Sequence, residues 1–326
     1  MNGDVFDYVR PADLAEALTV GADTGSVYLA GGTDLIPLWK VRAEAPVRVV
    51  DISRLPLGEI VAENSLRMGA LSKLSQVATN ASVNARWPLI AEAIKASASG
   101  QVRNMATVGG ALMQRTRCGY FRNDALPCNK RQPGSGCGAR MGENRGHAIF
   151  GCSEACVATH PSDLAVALAA LDAEVEVTHV GGTRRVAAVD LHRLPGETPH
   201  LDTVLEPGEL IAAVEVPEIG GARSTYLKVR DRASFEFAVV SVAAVLRVEA
   251  ERIAHVRLVA GGVASRPWRL ARCEAALIGQ PPTQSAFESA AALAAEGAQP
   301  LEHNGFKIEL LRRAIRRALD TVGGAA

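Results

Sequence analysis

Five of the chain's six cysteines lie in residues 115–156, RTRCGYFRNDALPCNKRQPGSGCGARMGENRGHAIFGCSEAC. Thiols this close together bind metal or oxidise, and buried free thiols and disulfides are the plainer alternatives. The spacing is Cys118-x9-Cys128-x8-Cys137-x14-Cys152-x3-Cys156. A zinc knuckle shows paired C-x2–4-C, which only the last pair approaches; a bacterial ferredoxin shows C-x2-C-x2-C, which is absent. The spacing therefore matches no common local motif. The surroundings say more. CNKRQPGSGCGARMGENRGH is rich in Gly, Arg and Lys and nearly free of apolar residues, so it cannot build a core of its own. Thiolate ligation would supply the energy to order it. Arg115, Arg117, Lys130, Arg131, Arg140 and Arg145 are expected to lower the thiol pKa values and to offset the charge of an all-thiolate iron–sulfur centre. Cys273, far away in a helical context, reads as a packed thiol.

Two glycine pairs are the other residues with chemical content, AGGTDL (30–35) and ATVGGAL (106–112). Without a Cβ, a Gly pair lets backbone N–H groups converge on an anion, and a following Thr hydroxyl adds a donor. A helix starting at Thr33 would also favour phosphate at its N-terminus. Each pair is equally compatible with a plain tight turn. Neither matches G-x-G-x-x-G or the P-loop, so a Rossmann or nucleotide-hydrolase reading has no support.

The elements that must position these residues fall into three regions. At 326 residues and 48% apolar the length suits two domains with ample core. The first region reads as helix (PADLAEALTVGA, with Pro11 at an early helical position), strand (SVYLAGG), helix (TDLIPLWKVR) and strand (RVVDIS). From Glu59 a hairpin, EIVAENSLRMGA, precedes a helical stretch over 72–99 that breaks near Trp87-Pro88. Beyond the cysteines come an N-capped helix over 162–171 and two strands over 173–189 joined at Gly181-Gly182. PEIGGARS is the expected linker to a third region, where STYLKVRDR, AVVSVAAVLRVE and IAHVRLVAGGVA read as antiparallel strands. RLARCEAALIG, QSAFESAAALAAEG and GFKIELLRRAIRRALDTV read there as amphipathic helices.

A formal net charge of zero argues against a nucleic-acid surface, and the basic face of LLRRAIRRAL reads as solvated or subunit-facing. No apolar run approaches the ~20 residues of a membrane span. The N-terminus has an acid where a signal peptide wants Lys or Arg, so no export signal of its own is expected. The seven histidines are scattered and read mostly as surface or loop residues. Tyr120, Phe121 and Phe150 read as packing around the cysteine segment. Trp39 and Trp268 suit either the core or a partner surface.

YLAGGTDLIPLWK, RNMATVGGAL, HPSDLAVALAALDAEVEV, YLKVRDRASFEFAVVSVA and LVAGGVASRPWR resemble, in order, motifs of the FAD-binding subunits of molybdenum hydroxylases. That superfamily comprises xanthine dehydrogenase, carbon monoxide dehydrogenase and aldehyde oxidoreductase. The resemblance spans nearly the whole chain and implies an α+β fold. An FAD domain of the vanillyl-alcohol-oxidase type over 1–219, in two α/β subdomains (about 1–58 and 59–219), would precede a C-terminal domain over 220–326. That second domain, antiparallel sheet with helices, would be like the CO dehydrogenase flavoprotein C-terminal domain. By motif, Leu29, Ala30, Gly31, Gly32, Thr33, Asp34 and Leu35 would wrap the FAD pyrophosphate, mostly through backbone N–H groups. Thr107, Gly109 and Gly110 would form the second pyrophosphate turn. Asp163 would sit near the flavin and adenosine side of the pocket, and Lys228 near the isoalloxazine ring. Ala111 stands where the family commonly has Asn, which removes one side-chain amide.

Removing residues 115–156 joins ATVGGALMQ to VATHPSDLAVAL, the continuous arrangement of relatives that lack an extra cluster. The segment thus resembles an insertion, and its wording resembles the aldehyde oxidoreductase branch, which holds a [4Fe–4S] cluster there. The resemblance implies Cys118, Cys128, Cys137 and Cys156 as ligands and leaves Cys152 spare; sequence geometry alone does not separate Cys152 from Cys156. It further implies an electron-transfer subunit of a heterotrimer. A large partner would carry molybdopterin, a small partner [2Fe–2S] centres, and electrons would leave the flavin for an external acceptor. Location in the periplasm would then require co-export with a signal-bearing partner, and the cytoplasm is the alternative. The rival readings are an FAD and [4Fe–4S] subunit of a 4-hydroxybenzoyl-CoA reductase type and a zinc-stabilised assembly module without flavin.

Overall fold

The apolar runs of the first 58 residues become neighbours in one small parallel sheet. The computed structural model describes residues 6–324; β1 (Asp7–Val9), β2 (Ser26–Leu29) and β3 (Arg48–Asp51) pair in the order β1-β3-β2. Helix α1 (Leu14–Gly21) starts after Asp13, whose carboxylate accepts the Glu16 N–H at 2.9 Å. That cap leaves Pro11 outside the helix rather than in its first turn. Helix α2 (Leu35–Lys40) begins two residues later than a Thr33 start, so the glycine-rich turn before it stays non-helical.

A five-stranded antiparallel sheet forms the centre. Its strands are β4 (Ile60–Ala62), β5 (Ser65–Gly69), β6 (Glu174–His179), β7 (Gly182–Ala187) and β8 (Leu210–Pro217), in the order β4-β5-β8-β6-β7. The middle strand, β8, was not among the expected elements. Its LIAAVEVP is buried almost without alternation, so it lacks the period of two that marks a half-buried strand. The stretch 72–99 becomes α3 (Leu74–Thr79), α4 (Ala81–Arg86) and α5 (Pro88–Ala96). Besides the break at Trp87-Pro88 there is one at Asn80, whose side chain caps α4 by accepting the Val83 N–H at 3.1 Å. Next come α6 (Gly100–Met105) and α7 (Val108–Leu112). The second glycine pair therefore lies in the first turn of a helix, not in an open loop. Helix α8 (Asp163–Ala170) is capped by Ser162 and buried along its whole length.

The C-terminal sheet, β9 (Arg223–Val229), β10 (Val240–Glu249), β11 (Arg252–Gly261) and β12 (Trp268–Arg269), is antiparallel in the order β12-β11-β10-β9. Val240, Val242, Ala244 and Leu246 of β10 pack with α9 (Ala271–Leu277), α10 (Gln284–Ala292) and α11 (Phe306–Gly323). The opposite face, Ala243 and Val245, joins the core around α8. Both faces are covered, which is why β10 reads as an almost unbroken apolar run.

Residues 115–156 contain no helix or regular strand, only an isolated bridge between Cys128 and Cys137. Phe121 is fully buried against Leu38 and Ala43, and Phe150 stacks on Trp268 at 5.0 Å. Trp39 meets the edge of Phe6. Among the described residues no helix is long and apolar enough to cross a membrane.

Candidate cofactor site

Cys118, Cys128, Cys137 and Cys156 line one small cavity, with Tyr120 and His147 in its wall. Cys152 does not line it; its Sγ lies 3.4 Å from the Ala148 carbonyl oxygen. All six cysteines are free thiols. Among the described residues no group of three or more His, Cys, Asp or Glu side chains is placed to hold a single metal ion. Two contacts to sulfur stand out: the Ala158 N–H donates to Cys156 Sγ at 3.4 Å, and His147 Nε2 lies 3.2 Å from Cys118 Sγ.

For Cys118, Cys152 and Cys156 the expectation that local cations lower the thiol pKa values does not hold. Burial pushes Cys118 and Cys152 up to about 11 and raises Cys156 as well. Lys130 at Cys156 and Arg140 at Cys152 pull the other way, and burial wins. The cations have other partners: Arg115 pairs with Glu44 and Asp202, Arg117 with Asp34, and Lys130 with Asp202. Arg131 donates to the Tyr120 and Phe121 carbonyls, while Arg140 and Arg145 pair with Glu154 and Asp231. A metal ligated by these thiols would have to displace their protons, which would couple its uptake to pH.

The first glycine turn is held open as a donor loop. The backbone N–H groups of Gly31, Gly32, Thr33, Asp34 and Leu35 find no acceptor among the described residues, and all five residues are partly exposed. Leu29 ends β2 and Ala30 follows it into the turn. Gly32 has φ +70°, and a Cβ on Gly31 would fall 2.0 Å from the Met105 carbonyl oxygen, so only glycine fits either place. The same contact brings the first turn against the segment carrying the second. There the geometry differs from what the resemblance implies. The Gly109 N–H donates to the Ala70 carbonyl and the Gly110 N–H to the Thr107 hydroxyl, so neither amide is free for a phosphate. Asp34 also has a different employment. Its carboxylate accepts the Arg115 N–H at 2.8 Å and pairs with Arg117 and Arg122 at 2.7 and 2.9 Å, tying the turn to the insertion.

A cleft of about 440 Å³ opens beside the thiol cavity, with Arg117, His160, Asp163, Phe237, Gly261 and Gly262 in its walls. Thr116, Cys118 and His147 line both spaces. Asp163, at the first position of α8, pairs with Lys228 at 2.8 Å and accepts the Tyr226 hydroxyl at 2.7 Å. Burial pushes its carboxyl up, against the pull of Lys228 and Tyr226. Lys228 itself is 3% exposed and also donates to the Ala96 carbonyl; it lies behind Asp163 and outside the cleft wall. Arg117, stacked over the Phe237 ring at 4.7 Å, is pushed down by burial. His160 and His192 face each other with ring centres 3.9 Å apart, and the His192 Nε2–H donates to the Leu112 carbonyl at 2.8 Å. His147 and His192 lie in irregular segments, as expected of loop residues, but both are buried rather than at the surface. Arg117 and His160 were also passed over as cleft residues, although both flank motifs that the sequence singled out: the cysteine run and HPSD.

The chain belongs to the FAD-binding subunits of the molybdenum hydroxylases: residues 4–219 match the family described as FAD binding domain in molybdopterin dehydrogenase, and residues 225–322 match the CO dehydrogenase flavoprotein C-terminal domain. It is 43% identical over 318 residues to the aldehyde oxidoreductase FAD-binding subunit PaoB of Escherichia coli (strain K12), covering 96% of this chain and 97% of that one. Identity to the glyceraldehyde dehydrogenase medium chain of Sulfolobus acidocaldarius is 31% over 278 residues, 84% and 82% of the two chains. Among solved structures, carbon monoxide dehydrogenase from Hydrogenophaga pseudoflava matches with a TM-score of 0.77 at 26% identity, over 99% of each chain.

Proposed function

We propose that this chain carries FAD and a [4Fe–4S] cluster and serves as the electron-transferring subunit of a heterotrimeric, molybdenum-dependent aldehyde oxidoreductase. In that complex a large partner would hold molybdopterin, a small partner [2Fe–2S] centres, and an external acceptor would take the electrons. The observation that carries the reading is the placement of four thiols on one cavity, with Cys152 turned toward a backbone carbonyl. Four thiolates are the ligand set of a [4Fe–4S] centre. The long 43% match to an aldehyde oxidoreductase subunit supports the substrate class.

Bound FAD and cluster would supply the redox chemistry, and the protein's part is placement and tuning. The free N–H groups from Gly31 to Leu35 are suited to hold the FAD pyrophosphate. The Met105 carbonyl, just ahead of Thr107, Gly109 and Gly110, packs against that turn at Gly31. Asp163 lines the cleft and is held there by its buried ion pair with Lys228 behind it. Cys118, Cys128, Cys137 and Cys156 would hold the cluster, and the Ala158 N–H donates to the Cys156 Sγ.

The test is iron and sulfide quantitation, a visible spectrum and EPR on the reduced protein, wild type against Cys152→Ser and Cys156→Ser. Cys156→Ser is expected to lose the cluster and Cys152→Ser to keep it. The reverse pattern overturns the ligand assignment. Zinc without acid-labile sulfide, or a preparation without flavin absorbance, overturns the whole reading.

A further inference from the structure

Thr116, Cys118 and His147 are the residues common to the thiol cavity and the larger cleft. The imidazole of His147 stands in that shared wall, 9% exposed, with Nε2 3.2 Å from Cys118 Sγ. Its place is set from outside the insertion. The His147 carbonyl accepts from Lys307 Nζ at 2.9 Å and from Asn304 Nδ2 at 3.2 Å. Lys307 and Asn304 are both fully buried side chains of the C-terminal region. The Lys307 ammonium also donates to the Gly146 and Gly262 carbonyls. Within the insertion, the His147 N–H donates to the Asn144 carbonyl at 2.9 Å, and the Asn144 carboxamide oxygen accepts the His303 N–H. Two fully buried side chains and a turn therefore converge on one residue whose ring touches one thiol.

A ligating Cys118 is a thiolate, which accepts hydrogen bonds and donates none. A neutral imidazole at 3.2 Å must then present Nε2–H to it. A hydrogen bond to a ligating sulfur withdraws negative charge from an iron–sulfur centre and favours its reduced form. We infer that His147 is a positioning and tuning residue: its Nε2–H donates to the Cys118 thiolate at the wall shared with the larger cleft, and raises the reduction potential of the cluster. This rests on the cluster assignment proposed above. Nothing else in the walls of the two spaces contacts Cys118 through a side-chain nitrogen among the described residues.

The substitution must keep the wall filled. An opened wall would let water in and shift the potential for a different reason, because solvent exposure also sets it. His147→Leu fills the space without an N–H, and His147→Gln retains a donor. In EPR-monitored redox titrations of the holoprotein, His147→Leu is expected to reduce at a lower potential than wild type. His147→Gln is expected to restore most of the shift, with iron and sulfide content equal in all three. Wild-type protein labelled with 15N-histidine supplies an independent readout. Pulsed EPR of the reduced cluster should detect one weakly coupled histidine nitrogen that is lost in His147→Gln. Wild type without iron and sulfide overturns the cluster assignment and this inference with it. A loaded wild type and a loaded His147→Leu with the same potential overturn the inference alone. If His147→Leu fails to load, absence of the histidine coupling in wild type overturns it and its presence upholds it.

Discussion

Strand β10 of the C-terminal sheet buries apolar residues on both faces, whereas residues 115–156 have no regular element and take their apolar anchoring mainly from Phe121, Ile149 and Phe150. The sheet is held by many interchangeable apolar contacts. The insertion is held by a few specific ones: guanidinium groups on carboxylates, an ammonium on three carbonyls, and the thiols. Distributed support tolerates single losses and concentrated support does not. The largest expected effect follows from this. Phe121→Ala removes a fully buried aromatic ring, at about 3–5 kcal/mol, and the loss should fall on the insertion and its seat on Leu38 and Ala43. Limited proteolysis should then cut within 115–156 while the main thermal transition moves little. Phe287→Ala, equally buried in the C-terminal core, should lower the main transition without creating that cut. Equal proteolytic resistance in both variants would mean the insertion is as broadly supported as the sheet.

Lys307, fully buried, is one of several links between the two regions, beside Asn304, His303 and Trp268. Lys307→Met would leave the Gly146, His147 and Gly262 carbonyls without their ammonium partner, which costs about 2–3 kcal/mol for buried polar groups left unsatisfied. Hydrogen exchange should quicken at 144–148, with the middle of β10 unchanged. A smaller effect is expected at the other end of the insertion. Asp34→Asn keeps an acceptor for the Arg115 N–H but removes the charge facing Arg117 and Arg122, worth about 1–2 kcal/mol for charge-assisted bonds. Because Asp34 also ends the glycine turn, flavin release on dilution should quicken. Unchanged flavin retention would separate the turn from the insertion.

The same contrast explains which parts could be read from the sequence. β9, β10 and β11 and the three C-terminal helices were legible because apolar periodicity records burial directly. β8 was not, since a central strand buried on both faces carries no alternation. Nor was α7: its glycine pair argues for a turn, yet the Thr107 cap and the Ala70 carbonyl hold it helical. In the insertion the cysteine types and their motif led to four thiols that do share a cavity. The cations beside them were misjudged because their partners, Glu44, Asp34, Asp202 and Asp231, are distant in sequence and no local pattern announces them. The His147–Cys118 contact was likewise out of reach, since side chains of the C-terminal region position the histidine.

Cys273 offers the finest test of the comparison, since it is a thiol in the densely packed region. It sits in α9, 1% exposed, and burial pushes its pKa up to about 12. The folded-state value lies above the unfolded one of about 8.5. Its contribution to stability is therefore fully present below about pH 8.5 and is lost as the pH rises toward 12. At neutral pH no effect on stability is expected. Alkylation is the sensitive readout, because the thiolate is the reacting form. In the native protein the labelling rate of Cys273 should climb about tenfold per pH unit from 8 to 10. A rate that levels off near pH 9 would show an ordinary thiol. The thiols of the proposed cluster should behave differently: Cys118, Cys128, Cys137 and Cys156 are expected to stay unlabelled across that range in iron-loaded protein and to become reactive when iron is stripped. A tenfold-per-unit climb at Cys273, beside flat protection in the insertion, distinguishes burial from ligation as the means by which each region keeps its sulfur from reacting.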